Sequence, residues 1–274
     1  MYAMFGDEVL AEESAGRNFF IYGGVFIDVD ELPAIHEKIE RLRRDAGFGA
    51  GDSLKFSAKG RPGALSPEEH RDIKSAVIAL AEEYGVTFCA YLVLQAIAKV
   101  QQTDNIVHWG CNTLLARYNQ FLLERDDHGV GVLDRFSGNA HNAFNYAKVK
   151  FQRGLTFGRN PDTRLDRVLG IGFTCDGAAH MSSVADIVLG AFGYCISEGI
   201  NTEAAQTMFP ALVRLMWKRT RNGQTTAIES GFNLRPKTEE MKSLRYKEMY
   251  VELMERLNRY VAGSAPNAAQ VWRA

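Results

Sequence analysis

The chain has 274 residues, 46% of them apolar and 24% charged, with a net charge of −1. That balance belongs to a globular protein of one large domain or of one domain with an extension. It excludes an overall basic field, so a polyanion would have to be met by local patches. No apolar run approaches the roughly 20 residues that cross a bilayer, and MYAMFGDEVL has neither the basic start nor the apolar core of a secretory signal. The spacing of Cys89, Cys111, Cys175 and Cys195 fits no zinc pattern, and each lies in an apolar context. They are expected as buried reduced thiols, which places the chain in the cytoplasm.

Residues 2–8 (YAMFGDE) start as an apolar strand and end on two acids. Residues 18–28 (NFFIYGGVFID) are aromatic and β-branched, the composition of a strand. Its paired glycines, Gly23 and Gly24, fit a bulge or a close approach rather than a phosphate cradle. A helix is predicted over 30–47, with Asp30 as N-cap, followed by a glycine-rich irregular stretch to 65. Residues 66–85 carry a helix start written out in full: Ser66 and Glu69 as a capping box and Pro67 at the first helical position. Residues 86–94 form a strand, 105–126 a long helix, 129–136 a short strand ending in Asp134 and Arg135, and 139–153 a further helix. A strand over 167–175 and a helix over 182–198 follow, then helices over 202–222 and 238–262. The order predicts a three-strand meander extended by β–α units that add parallel strands, an α/β layered sheet.

Three acids stand out. Asp186 is the only formal charge between Met181 and Ser197, inside SSVADIVLGAFGYC. A carboxylate in such a helix must be paired, solvated or bound to a metal, because burying it alone costs several kcal/mol. Asp7 and Asp134 each end a strand, where an Asp is also a common turn or cap residue. If those strands are parallel neighbours and the helix crosses their ends, the three carboxylates meet, and their repulsion calls for a divalent cation. Oxygen-only donors suit Mg²⁺ or Mn²⁺.

The segments MFGDE…NFFIYGGVFI, SLKFS, VLDRF and SSVADIVLGA resemble, in this order over residues 3–198, the signature segments of the domain-of-unknown-function family numbered 3800, of the ribonuclease H-like superfamily. The resemblance implies a ribonuclease H-like mixed five-stranded sheet with flanking helices over 1–198, a helical insertion at 29–85 and a helical extension at 199–274 packed on it. It assigns Asp7 and Glu8 to the first motif, Lys55 to the second, Asp134 to the third and Asp186 to the fourth. The implied function is a metal-dependent nuclease in which Asp7, Glu8, Asp134 and Asp186 hold Mg²⁺ or Mn²⁺ and Lys55 meets phosphate. The sequence departs from the family where VLAEESAG follows Asp7-Glu8, where Ser53 replaces a frequent Glu, and where the helix 105–126 lacks an early Glu. The fourth ligand therefore stays open between Glu8 and Asp176, and Asp52 is a candidate substitute at the second motif. The alternative is a catalytically degenerate module that binds nucleic acid or protein, in phage defence or a mobile element.

Two basic stretches admit either phosphate contact or a plain solvated face. One holds Lys148, Lys150, Arg153, Arg159, Arg164 and Arg167, interleaved with Phe151 and Phe157; the other holds Arg214, Lys218, Arg219 and Arg221. His180 is read as a proton carrier or as a loop histidine, and the apolar helices after 202 as a candidate homodimer surface.

Overall fold

The computed structural model describes residues 1–9, 19–98, 103–134, 140–157, 163–175, 177–197, 202–221 and 223–262. The first three strands are β1 (Tyr2–Val9), β2 (Phe19–Asp28) and β3 (Thr87–Leu94), antiparallel in succession. Strands β4 (Gly129–Asp134) and β5 (Val168–Thr174) then add parallel to β1 and to each other. Helix α1 (Leu32–Asp45) and helix α2 (Pro67–Glu83) lie between β2 and β3. Helix α3 (Gln95–Ala98) and helix α4 (Thr103–Glu124) lead to β4, α5 (Ala140–Arg153) to β5, and α6 (His180–Ile196) follows β5.

Five strands were expected; the sheet has six. After α7 (Glu203–Leu215) come a small hairpin of β6 (Arg219–Arg221) and β7 (Gln224–Thr226), then β8 (Phe232–Leu234), and finally α8 (Leu244–Ala262). The sheet order is β5-β4-β1-β2-β3-β8, with β8 parallel to β3. The segment after 198 is thus not purely helical. A helix predicted to 222 stops at Leu215 because Trp217 donates its backbone N–H to the Phe88 carbonyl at 3.0 Å, drawing the chain along β3. Three residues are too few to show strand alternation in a sequence.

The core lies on both faces of the sheet. Phe5, Ile21 and Val25 meet α6 on one face; Met4, Tyr22 and Phe26 meet α4 on the other. Helix α6 is apolar almost all round because it is enclosed, packing on β1 and β2 beneath and on α1, α2, α7 and α8 around it. Close approach is what Gly23 provides: a Cβ there would sit 2.5 Å from both the Cys89 carbonyl oxygen and Leu189 Cδ2. On the opposite face, a Cβ at Gly24 would sit 2.8 Å from the Phe5 carbonyl oxygen.

The capping box of α2 is formed, with Glu69 N–H donating to Ser66 Oγ at 3.2 Å and Ser66 N–H to Glu69 Oε2 at 2.8 Å. The N-cap expected at Asp30 is displaced: Asp28 Oδ1 accepts from Asp30 N–H at 3.2 Å, and a 3₁₀ turn precedes α1. Cys89, Cys111 and Cys195 are buried free thiols, whereas Cys175 is exposed, since it follows an edge strand with neighbours on one side only. Among the described residues no helix is long and apolar enough to cross a membrane.

Candidate active site at the carboxyl ends of the central strands

The register of β1 against β4 pairs Gly6 with Leu133, so Asp7 and Asp134 are the next residues on two adjacent parallel strands. Neighbouring strands run about 4.8 Å apart. Strand alternation puts Asp7 on the face of Ala3 and Phe5, the α6 face, and Asp134 on the same face with Val130 and Val132. Asp186 lies in the second turn of α6, over this edge. The three acids named from sequence thus share one face near the strand ends, where the charges of Asp186 and Asp134 act on Asp7, and all are half-buried.

The surroundings oppose ionisation of Asp7. Burial, and then the charges of Asp186 and Asp134, push the Asp7 carboxyl from 3.8 up to about 8, although Glu8 N–H donates to its Oδ1 at 2.7 Å. Burial and the Asp134 charge raise Glu8 from 4.5 to about 7. Glu8 stands opposite Tyr22 in the β1–β2 register, hence on the α4 face rather than with the three aspartates.

Asp186 has a partner that the sequence does not announce. Its Oδ2 accepts the backbone N–H of Phe56 at 2.6 Å. The Phe56 ring lies so close over Gly190, one turn further along α6, that a Cβ there would meet ring and Cβ atoms at 2.5 Å. Lys74 of α2 closes the arrangement: its Nζ donates to the Phe56 carbonyl at 3.2 Å and stands 4.5 Å over the Phe56 ring. Burial, with Arg71 nearby, lowers the Lys74 pKa, while Asp186 acts to raise it. The acid on an apolar helix is therefore held by a loop amide and a nearby ammonium. Sequence reasoning missed Lys74, whose signal was a lysine between Ile73 and Val77 on an otherwise buried flank.

Other candidates fall elsewhere. Lys55 is half-buried, one residue before Phe56, with its backbone hydrogen bonded to the His70 imidazole. Asp52 serves its own loop, accepting Gly49 N–H at 2.8 Å, and Ser53 N–H donates to the Gly60 carbonyl at 2.8 Å. His180 begins α6 instead of lying in a loop; its Nε2 is 3.0 Å from Glu40 Oε2 and its ring 4.6 Å from that of His36. Asp176, Arg135 and Arg159 lie outside the described residues. The basic run after 213 is partly neutralised, Arg214 by Glu82 and Arg219 by Glu124. In the other run Arg167 pairs with Asp126 at 2.7 Å, and Lys148 and Arg153 are exposed.

Among the described residues no three His, Cys, Asp or Glu side chains come together tightly enough to hold a metal. The donors are oxygen only, the kind a hard divalent cation takes, and Asp7, whose burial and neighbours favour its protonated form, would have to be ionised to serve as a ligand.

The order β5-β4-β1-β2-β3, an antiparallel meander with two parallel additions, defines a ribonuclease H-like α/β fold. Among solved structures, the chain is similar to a mutant protein of Bst-RNase HIII, with a TM-score of 0.41 and 13% identity over 77% of this chain and 61% of that one. It is also similar to Bst-RNase HIII in complex with Mn²⁺, with a TM-score of 0.38 and 11% identity over 78% and 62% of the two chains. The chain thus spans about three-fifths of the length of those structures. No protein-family model matches, which leaves the resemblance to family 3800 without support from that quarter. No curated protein matches either.

Proposed function

We propose that the chain is a metal-dependent nuclease that hydrolyses phosphodiester bonds in nucleic acid, with Asp7, Asp134 and Asp186 as ligands of Mg²⁺ or Mn²⁺ and Glu8 as the fourth acid. The observation that carries this reading is the adjacency of Asp7 and Asp134 on parallel strands beneath Asp186, with Asp7 raised to about 8. The ordered segments that resemble family 3800 support it, and the four unpaired cysteines suit the reducing cytoplasm.

Divalent cations in such a site activate water and stabilise the attacking and leaving oxygens of a phosphodiester. The protein's own share is positional. The sheet fixes the separation of Asp7 and Asp134. The Phe56 amide orients Asp186, and Lys74 supplies positive charge beside it. A cation would be held by Asp7, Asp134 and Asp186, and Asp7 would have to be in its ionised form to hold it. Glu8, whose pKa lies near 7, holds a proton that it can exchange at physiological pH. Lys55, in the loop beside Asp186, meets substrate phosphate.

The test is single-turnover cleavage, with Mn²⁺, of single-stranded, double-stranded and hybrid substrates by wild type and Asp134→Asn. Wild type cuts at least one substrate and the variant loses activity by orders of magnitude. Failure to cut any substrate, or equal cutting by the variant, overturns the proposal.

A second reading is the degenerate binding module. It is favoured by the hold of the Phe56 amide on Asp186 and by the lack of a tight three-ligand group among the described residues. Calorimetry with Mn²⁺ separates the two: carboxylate-dependent binding supports the nuclease, and no binding at millimolar metal supports the module.

A further inference from the structure

On the α4 face, away from the three aspartates, a cavity of about 730 Å³ opens between α4, β3 and the segment that follows β8. Its volume lies in the range of small-ligand sites. Tyr91, Trp109 and Phe157 line it, with Asn112, Arg117 and Arg235. Trp109 is 48% exposed, so part of its ring faces the cavity. Asn112, only 5% exposed, brings a buried amide to the wall, and its Oδ1 accepts from Tyr146 Oη at 2.5 Å.

The charge of the cavity says what it does not take. Arg235 grips both Glu229 oxygens, at 2.6 and 2.7 Å, and Arg117 Nη2 reaches the same carboxylate at 2.7 Å. Glu240 stands on the rim and acts on Arg235. Both guanidinium groups are held by the Glu229 carboxylate, so neither is left as a free anion site. Flat aromatic walls, an amide and guanidinium edges suit a neutral heteroaromatic ring that carries both donors and acceptors.

We propose that this cavity receives a nucleobase of a bound nucleic-acid strand, with Trp109 as its stacking platform. The proposal rests on the reading of the chain as a nuclease and extends it to how the strand is held. Tyr91 pairs with Tyr22 on the α4 face, so the cavity lies across the sheet from the three aspartates, and a strand seated here would reach them only around the sheet.

The experiment is a fluorescence-anisotropy titration in EDTA, where no cleavage occurs, using a labelled 12-mer of thymidine or uridine nucleotides. The control is a 12-mer of the same phosphate count with abasic sites replacing the bases. Wild type is expected to prefer the base-bearing strand on the order of ten-fold, the scale of one base–aromatic stack. Trp109→Ala should reduce binding to the abasic level, and Trp109→Phe should restore most of the preference. Equal binding of both strands by wild type, a preference retained in Trp109→Ala, or no binding of either strand overturns the proposal. The nuclease reading fails separately: cleavage without base preference discards only the pocket, and base preference without cleavage discards only the chemistry.

Discussion

Replacing Asp7 by Asn removes a carboxylate whose ionised form the fold opposes. Its carboxyl is displaced from 3.8 to about 8, with burial as the first cause and Asp186 and Asp134 after it. An acid with a raised folded-state pKa favours folding fully below its unfolded value. That contribution is lost as pH rises from about 4 to about 8. Roughly four pH units at about 1.4 kcal/mol each set a ceiling near ~6 kcal/mol. Asp7 is partly open to solvent and its neighbours can shift, so about 2–3 kcal/mol is the gain expected for Asp7→Asn at pH 8.5. Asparagine keeps an oxygen to accept the Glu8 N–H, now 2.7 Å from Oδ1, so the substitution takes away charge and little else. In a chain of this size the gain corresponds to roughly 5–10 °C in Tm. Urea denaturation in EDTA at pH 4.5, 6.5 and 8.5 measures it. The gain should be small at pH 4.5 and grow to its maximum at pH 8.5. Added Mn²⁺ should stabilise wild type and leave the variant unchanged. A gain that does not depend on pH, or a variant less stable than wild type at pH 8.5, would refute the reasoning.

Gly190→Ala should push the Phe56 ring off α6 and weaken the amide's hold on Asp186. A loss of about 1–3 kcal/mol is expected in urea, with faster proteolysis of the 48–65 loop. Of the four thiols, only Cys175 should react rapidly with an aromatic disulfide reagent in the native protein, and Cys175→Ser should abolish that phase.

The parts of the fold legible in the sequence were those written in local patterns. The helix start at Ser66-Pro67 carries its own capping, and the runs NFFIYGGVFID and TFCAYLVL carry a strand-forming composition; the structure keeps all three. That Asp7 and Asp134 stand side by side on one face was legible because each sits near the end of a strand whose place the topology dictates. The Phe56 and Lys74 contacts were not, since a backbone amide has no sequence signature and the loop's docking depends on the missing side chain of Gly190. Strand β8 was hidden for a related reason: a three-residue strand is specified by its neighbour, with Arg235 N–H donating to the Leu92 carbonyl at 2.9 Å.

Adjacent residues on one strand must face opposite ways, and this divides the Asp7-Glu8 pair into two roles. Asp7 stands beside Asp134 on the α6 face, where the charges of Asp186 and Asp134 act on it. Glu8 turns to the face that carries Tyr22, Tyr91 and the aromatic cavity, yet its carboxyl still responds to the Asp134 charge. A single dipeptide at the end of the central strand thus touches both faces of the sheet. Glu8 is thus the one acid of the pair whose charge environment includes Asp134 although its side chain stands on the other face.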